Sequence, residues 1–155
     1  MDTYNKYHHG KIYKIWSLQT NEMYIGSTCS PLHKRMYWHR THAGCSKYNH
    51  KQLYQLMNTL GHDAFRIEYI ENYPCSSKSE LNRREGMFIR ELEPSLNSHI
   101  AGRTVKEYRS DNHERISMLN KQWKEEHPDK VREYNKEYGK SYYVNNKTNL
   151  LCRFK

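Results

Sequence analysis

The chain has 155 residues, of which 35% are apolar and 14 are tyrosine, and it carries a formal net charge of +9. With a mean hydropathy of −1.15 and a pI of about 9.3, it is expected to form one ordinary domain with an appendage and a modest core confined to part of its length. These values exclude a membrane-spanning helix, because no stretch approaches the roughly 18 apolar residues one requires. Excess Lys and Arg favours a polyanionic partner whose phosphates release counterions. Tyrosine rings add stacking on bases and bonds to phosphates. A basic surface that only maintains solubility is the alternative reading.

The first eleven residues, MDTYNKYHHGK, lack the apolar segment of a secretion signal, so an intracellular protein is expected. From there the elements follow in order. Lys11 to Leu18 is rich in strand formers and reads as a strand, Gln19 to Glu22 as the turn, and Met23 to Gly26 as the returning strand. Pairing the two would bring Tyr13 and Tyr24 near each other on one face. Ser30 as N-cap with Pro31 in the first turn opens a helix to about His42, stopped at Ala43-Gly44. A second helix covers about Lys51 to Thr59, with Leu53, Leu56, Met57 and Leu60 at helical spacing.

Phe65 to Tyr73 alternates as a third strand, and a third helix spans Lys78 to Leu92, halted by Glu93-Pro94. The order β-β-α-α-β-α predicts an α+β fold: a small, mainly antiparallel three-stranded sheet flanked by helices over residues 1–102.

Residues 103–155 differ in character. They hold 13 Lys and Arg against 8 Asp and Glu and almost no apolar cluster. A drifting repeat runs through Tyr108, Asn112 and Ile116, then Trp123, His127 and Val131, then Tyr142, Asn146 and Leu150. This tail is expected to form polar helical segments broken near His127-Pro128 and Gly139. It reads either as a DNA-contacting arm or as a solvated, partly disordered appendage.

The four cysteines, Cys29, Cys45, Cys75 and Cys152, have no CxxC pairing and read as free thiols. His39, His42 and Cys45 fall on successive helical turns, but no second pair of ligands follows at a structural-zinc spacing. Phosphodiester chemistry, which the family resemblance given below implies, needs activated water and relief of charge at the phosphorus. Arg35 and His39 lie four apart on one helix face, and the planar fork of Arg35 suits a phosphate oxygen. An ion pair of Arg35 with Glu22 or Glu91 is the alternative. In that same resemblance Glu85 is the one strong carboxylate candidate for a divalent metal, and a lone carboxylate suits magnesium, or manganese in its place. Its alternative is a surface pair with a neighbouring arginine.

In chain order these residues resemble the GIY-YIG nuclease superfamily, which includes free-standing homing-type endonucleases of phages and large DNA viruses. Lys11-Ile12-Tyr13 matches the first motif with lysine replacing its glycine, and Tyr24-Ile25-Gly26 matches the second. Arg35 and His39 match the Arg-x-x-x-His element, Glu85 the catalytic acid and Asn97 the closing asparagine. The resemblance implies a metal-dependent DNA endonuclease, with Tyr13 as general base or water orienter. A phenol pKa near 10 would then have to be lowered by Arg35, Lys14 or a metal. Tyr24 would bond the phosphate or the water, and His39 would assist Tyr13.

Gly26 and Asn97 are read as structural support. Lys14, Lys34, Arg40, Lys121 and Lys136 are the basic residues expected to contact nucleic acid. The expected partner is DNA, with no membrane association, for a monomer or weak dimer. The alternative function is a catalytically inactive nucleic-acid-binding protein of the same fold.

Overall fold

The computed structural model describes residues 4–152 of the chain, with side chains as far as residue 147. Two compact units are present, residues 1–104 and 105–155. The first contains a sheet of β1 (Lys11–Ser17), β2 (Thr20–Thr28) and β3 (Phe65–Asn72) in the order β2-β1-β3, with both pairings antiparallel. Its helices are α1 (Leu32–Ala43), α2 (Gln52–Leu60) and α3 (Lys78–Leu92). This is the α+β order expected from the sequence.

The hairpin is tighter than expected. Its connection is only Leu18 and Gln19, and β2 begins at Thr20, so residues expected in the turn belong to the strand. Side chains stabilise the corner locally: Gln19 N donates to Ser17 Oγ at 3.2 Å and Glu22 N to Thr20 Oγ1 at 3.2 Å. Ser17 pairs with Thr20 while Trp16 pairs with Met23, so a bulge sits beside the turn.

The start of α1 also differs. Pro31 occupies the N-cap position, without a side-chain capping bond, and Ser30 lies outside the helix. Ser30 N is instead taken by Thr28 Oγ1 at 3.0 Å, a local turn that competes with capping. By contrast, α3 starts as its sequence dictates. Ser77 Oγ accepts from Glu80 N, and Glu80 Oε2 accepts from Ser76 N, a reciprocal arrangement that satisfies two otherwise unpaired donors.

Each sheet face carries its own core. On one, Tyr13, Ile15 and Phe65 pack with Met36 and Ala43 of α1, Leu53, Tyr54 and Met57 of α2, and Leu96. On the other, Ile12 and Ile25 pack with Leu81 and Ile89 of α3 and with Cys75. Alternation along β1 divides the strand between the two cores. Cys29, Cys45 and Cys75 are free thiols, and the side chain of Cys152 lies outside the described residues.

The second unit is helical: α4 (Val105–Asp111), α5 (His113–Glu126) and α6 (Pro128–Cys152). The expected break at His127-Pro128 is present. The expected break at Gly139 is not, and α6 continues through it. One glycine in an exposed helix costs only about 1 kcal/mol, too little to end one of this length. Leu150, the last repeat position, lies beyond the described side chains.

Candidate active site

β2 is an edge strand, and the candidate residues gather around it. The strand register sets Tyr13 opposite Gly26 and Ile15 opposite Tyr24, so the two tyrosines are diagonal neighbours rather than a direct pair. Their ring centroids are 6.4 Å apart. A Cβ on Gly26 would lie 2.5 Å from Tyr13 Oη and 2.8 Å from the Tyr24 ring, so only glycine leaves room for both phenols.

One turn of α1 separates Arg35 from His39, and both reach the same phenol oxygen. Arg35 Nε donates to Tyr13 Oη at 2.8 Å, and Tyr13 Oη lies 2.8 Å from His39 Nε2. A guanidinium can only donate, so the phenol oxygen accepts there and directs its own proton to the imidazole. The other imidazole nitrogen, Nδ1, then carries the hydrogen and donates to Tyr54 Oη at 3.3 Å. This chain assigns the tautomer. Tyr13 and His39 are both buried, at 0% and 2% exposure.

Burial decides the protonation states. It pushes the Tyr13 phenol far above its ordinary value, with Tyr24 adding to the rise and Arg35 opposing it. Arg35 alone therefore does not lower the phenol, because desolvation outweighs the single adjacent cation. Burial and then Glu85 push Tyr24 up to about 12. For His39, burial and then the charges of Arg35, His42 and Lys51 lower the imidazole to about 3.

Glu85 reaches the same edge from α3. Its Oε2 accepts from Ser27 Oγ at 2.5 Å. Burial raises its carboxyl, while the Ser27 hydrogen bond and the Arg35 charge act against the rise. Asn97 secures β2 from outside: its Oδ1 accepts from Ile25 N and its Nδ2 donates to Ile25 O, both at 2.8 Å. Leu96 N adds a bond to Met23 O at 3.1 Å. The loop after α3 thus covers backbone groups that an edge strand otherwise leaves open.

The expected nucleic-acid contacts are dispersed. Lys14 lies on the strand between Tyr13 and Ile15, points to the opposite sheet face, and pairs with Glu68 at 3.0 Å. Arg40 pairs with Asp63 at 3.6 Å, and Lys34 is exposed on α1. Lys121 and Lys136 are exposed in the second unit. Two residues hydrogen-bonded to the candidate set escaped the sequence reading. Tyr54 sits beside Leu53 on the buried face of α2 and reads as core, and Ser27 looks like an ordinary strand residue after Gly26.

Among the described residues, no group of three or more His, Cys, Asp or Glu side chains could hold a metal. The site does offer one half-buried carboxylate beside a cavity, which could supply a single oxygen ligand to a divalent cation that keeps most of its waters.

Fold and site together define a small α+β catalytic domain with a guanidinium–phenol–imidazole chain inside and a carboxylate at its edge. Residues 9–98 match the family model of the GIY-YIG catalytic domain. The chain belongs to the GIY-YIG family and is a nuclease of that superfamily, with DNA as its substrate class. Nucleases of this family are generally dependent on a divalent metal. No curated protein and no solved structure matches the chain significantly. Among the described residues no helix is long and apolar enough to cross a membrane.

Proposed function

We propose that the protein is a metal-dependent endonuclease that hydrolyses DNA phosphodiester bonds. The observation that carries this reading is the chain Arg35–Tyr13–His39–Tyr54 adjoining Glu85. Glu85 would hold Mg²⁺ or Mn²⁺, which when bound would supply charge relief at the phosphate. Arg35 turns its remaining donors to a non-bridging oxygen, and Tyr24, half-buried beside Glu85, orients phosphate or water.

Tyr13 acts without ionising. Of the two groups bonded to its oxygen, His39 is buried and Arg35 half-buried, and Tyr13 itself is fully buried, so water reaches the phenol only from the Arg35 side and only as Arg35 shifts towards the phosphate. As the water oxygen attacks phosphorus, its proton passes to the Tyr13 oxygen while the phenol proton moves to His39 Nε2. The bond to the leaving oxygen breaks, and that oxygen takes a proton from solvent. Burial is the larger cause of the low His39 value, and a bound phosphate offsets only the added Arg35 charge, which moves the imidazole part of the way back towards accepting a proton.

The second unit serves as a DNA arm. Exposed rings recur along it: Trp123 stacks on His127 at 4.8 Å, and Tyr134, Tyr138 and Tyr142 form a ladder with 6.2 Å spacings. Lysines lie between these rings in sequence, which suits phosphate contact beside base stacking.

The test is cleavage of supercoiled plasmid by wild type and Glu85→Ala, with magnesium and with chelator. Magnesium-dependent cutting by wild type alone is expected. Cutting by Glu85→Ala would sink the site assignment, and DNA binding without cutting by either protein would favour an inactive binding protein of this fold.

A further inference from the structure

A cavity of about 280 Å³ opens beside the carboxylate, and it extends beyond the residues assigned to the reaction. Tyr24 and Glu85 form one wall. His50 and Lys51, just ahead of α2, form another, and His99 a third. Buried Leu53 and Leu96 contribute apolar surface. Its size lies just under the roughly 300 Å³ at which pockets for drug-sized ligands begin, enough for one small, partly apolar unit.

Lys51 distinguishes this cavity. Its ammonium lies over two aromatic rings, 5.4 Å from the centroid of Tyr48 and 5.6 Å from that of Tyr54. These contacts place the charge without neutralising it. Lys14, Arg40 and Arg84 are each matched by a carboxylate, at 3.0, 3.6 and 2.7 Å. Lys51 has no carboxylate partner among the described residues. A positioned, unmatched cation at the mouth of a cavity that shares its wall with a phosphodiesterase site calls for an anion at a fixed distance from the reacting one. In DNA that anion is the adjacent backbone phosphate.

We propose that this cavity takes the nucleotide flanking the scissile phosphate, with Lys51 bonding that nucleotide's own phosphate. The sugar or base rests against Leu53 and Leu96, and His50 and His99 line its polar side. Lys51 is thus a positioning residue: it sets the register of the strand over Glu85 and Tyr24. This rests on the nuclease reading for its substrate, but its test does not require cleavage.

Affinity for a DNA duplex is measured in chelator, with salt dependence, for the full chain and for Lys51→Ala, Lys51→Arg, Ser98→Phe and Lys78→Ala. Ser98 is exposed on the cavity rim, so phenylalanine there fills space without removing charge. Lys78 is exposed and outside the cavity. Lys51→Ala should bind about tenfold more weakly, with the salt slope reduced by about one. Lys51→Arg should restore most of that affinity, Ser98→Phe should also weaken binding, and Lys78→Ala should bind like wild type.

Wild-type affinity in Lys51→Ala or in Ser98→Phe would overturn the proposal, as would an equal loss in Lys78→Ala. If the expected pattern appears but the wild type cuts no DNA under any metal condition, the nuclease reading fails and the nucleotide site stands.

Discussion

Tyr13 and His39, 26 residues apart in sequence, meet inside the core through a 2.8 Å contact between the phenol oxygen and the imidazole Nε2. Both are held neutral by burial, so the contact joins two neutral groups rather than forming an ion pair, and the proposed mechanism uses it as its proton path. Tyr13→Phe removes the path while keeping the ring. Cleavage should fall by about 10²- to 10⁴-fold, the usual contribution of a positioned acid–base group. Stability should fall by about 1–3 kcal/mol, because Arg35 Nε and His39 Nε2 lose their partner. Single-turnover rates and urea unfolding check the two effects separately. Full activity in Tyr13→Phe would remove Tyr13 from the proton path.

The same burial predicts an acid-sensitive fold. His39 titrates near 3 in the folded chain against an ordinary 6.5, so below about pH 6.5 the unfolded chain binds a proton that the folded chain refuses. Stability from this site is complete above that pH and is lost as pH falls towards 3, by up to about 1.4 kcal/mol per pH unit. Glu85, with a raised carboxyl pKa, works in the opposite direction and offsets part of the loss. Urea unfolding of wild type and His39→Gln across this range should show a shallower slope in the variant. Equal slopes would mean that His39 is not the group responsible.

Gly26 controls how closely the two phenols approach. An added methyl group would stand 2.5 Å from Tyr13 Oη and 2.7 Å from Tyr13 Cζ. Neither ring can retreat far, since Tyr13 is fully buried and bonded to both Arg35 and His39. Gly26→Ala is expected to destabilise the fold by about 1–3 kcal/mol, as overpacked cores do, and to depress cleavage by moving Tyr13. Thermal unfolding together with plasmid cleavage tests this, and an unchanged melting temperature would show that the edge strand yields.

Local rules made much of the catalytic unit legible. The third helix, Lys78 to Leu92, has the bounds that its Ser77 cap and Glu93-Pro94 stop imply. Side-chain alternation placed Tyr13 and Tyr24 on one hairpin and spacing placed Arg35 and His39 on one helix face, while the resemblance to the GIY-YIG motifs singled these residues and Glu85 out as a site. Features set by long-range packing were harder to see. Tyr54 lies in an apolar helix face and gains its role only where His39 Nδ1 meets it. The direction of the Tyr13 shift likewise depends on complete burial, which a strand pattern cannot distinguish from half burial. Gly139 misled because a helix interior tolerates one glycine.

Asn97 joins the loop after α3 to the outer edge of β2 through two 2.8 Å bonds to Ile25. Asn97→Ala leaves that N–H and C=O unpaired, so a loss of about 1–3 kcal/mol is expected. Since Ile25 separates Tyr24 from Gly26, hydrogen exchange should rise selectively at Ile25 and its neighbours. Asn97→Asp restores the acceptor but not the donor, and should recover only part of the protection. Unaltered exchange at Ile25 would leave Asn97 without a supporting role.

The helical second unit gives the last prediction. Its exposed lysines and arginines include Lys121 and Lys136, and its rings at Trp123, Tyr134, Tyr138 and Tyr142 face solvent. Each phosphate that such residues neutralise steepens the dependence of affinity on salt by about 0.9 in the logarithmic slope. Removing residues 105–155 should therefore weaken DNA binding and flatten the slope by several units, while the magnesium-dependent rate at saturating DNA is retained. Replacing Tyr134, Tyr138 and Tyr142 by leucine keeps the charge, so it should weaken binding to single strands with the salt slope unchanged, because stacking releases no counterions. Equal affinity in the truncated chain would show that the catalytic unit alone supplies the DNA contacts. A flattened slope in the leucine variant would mean that the rings act by arranging the cations.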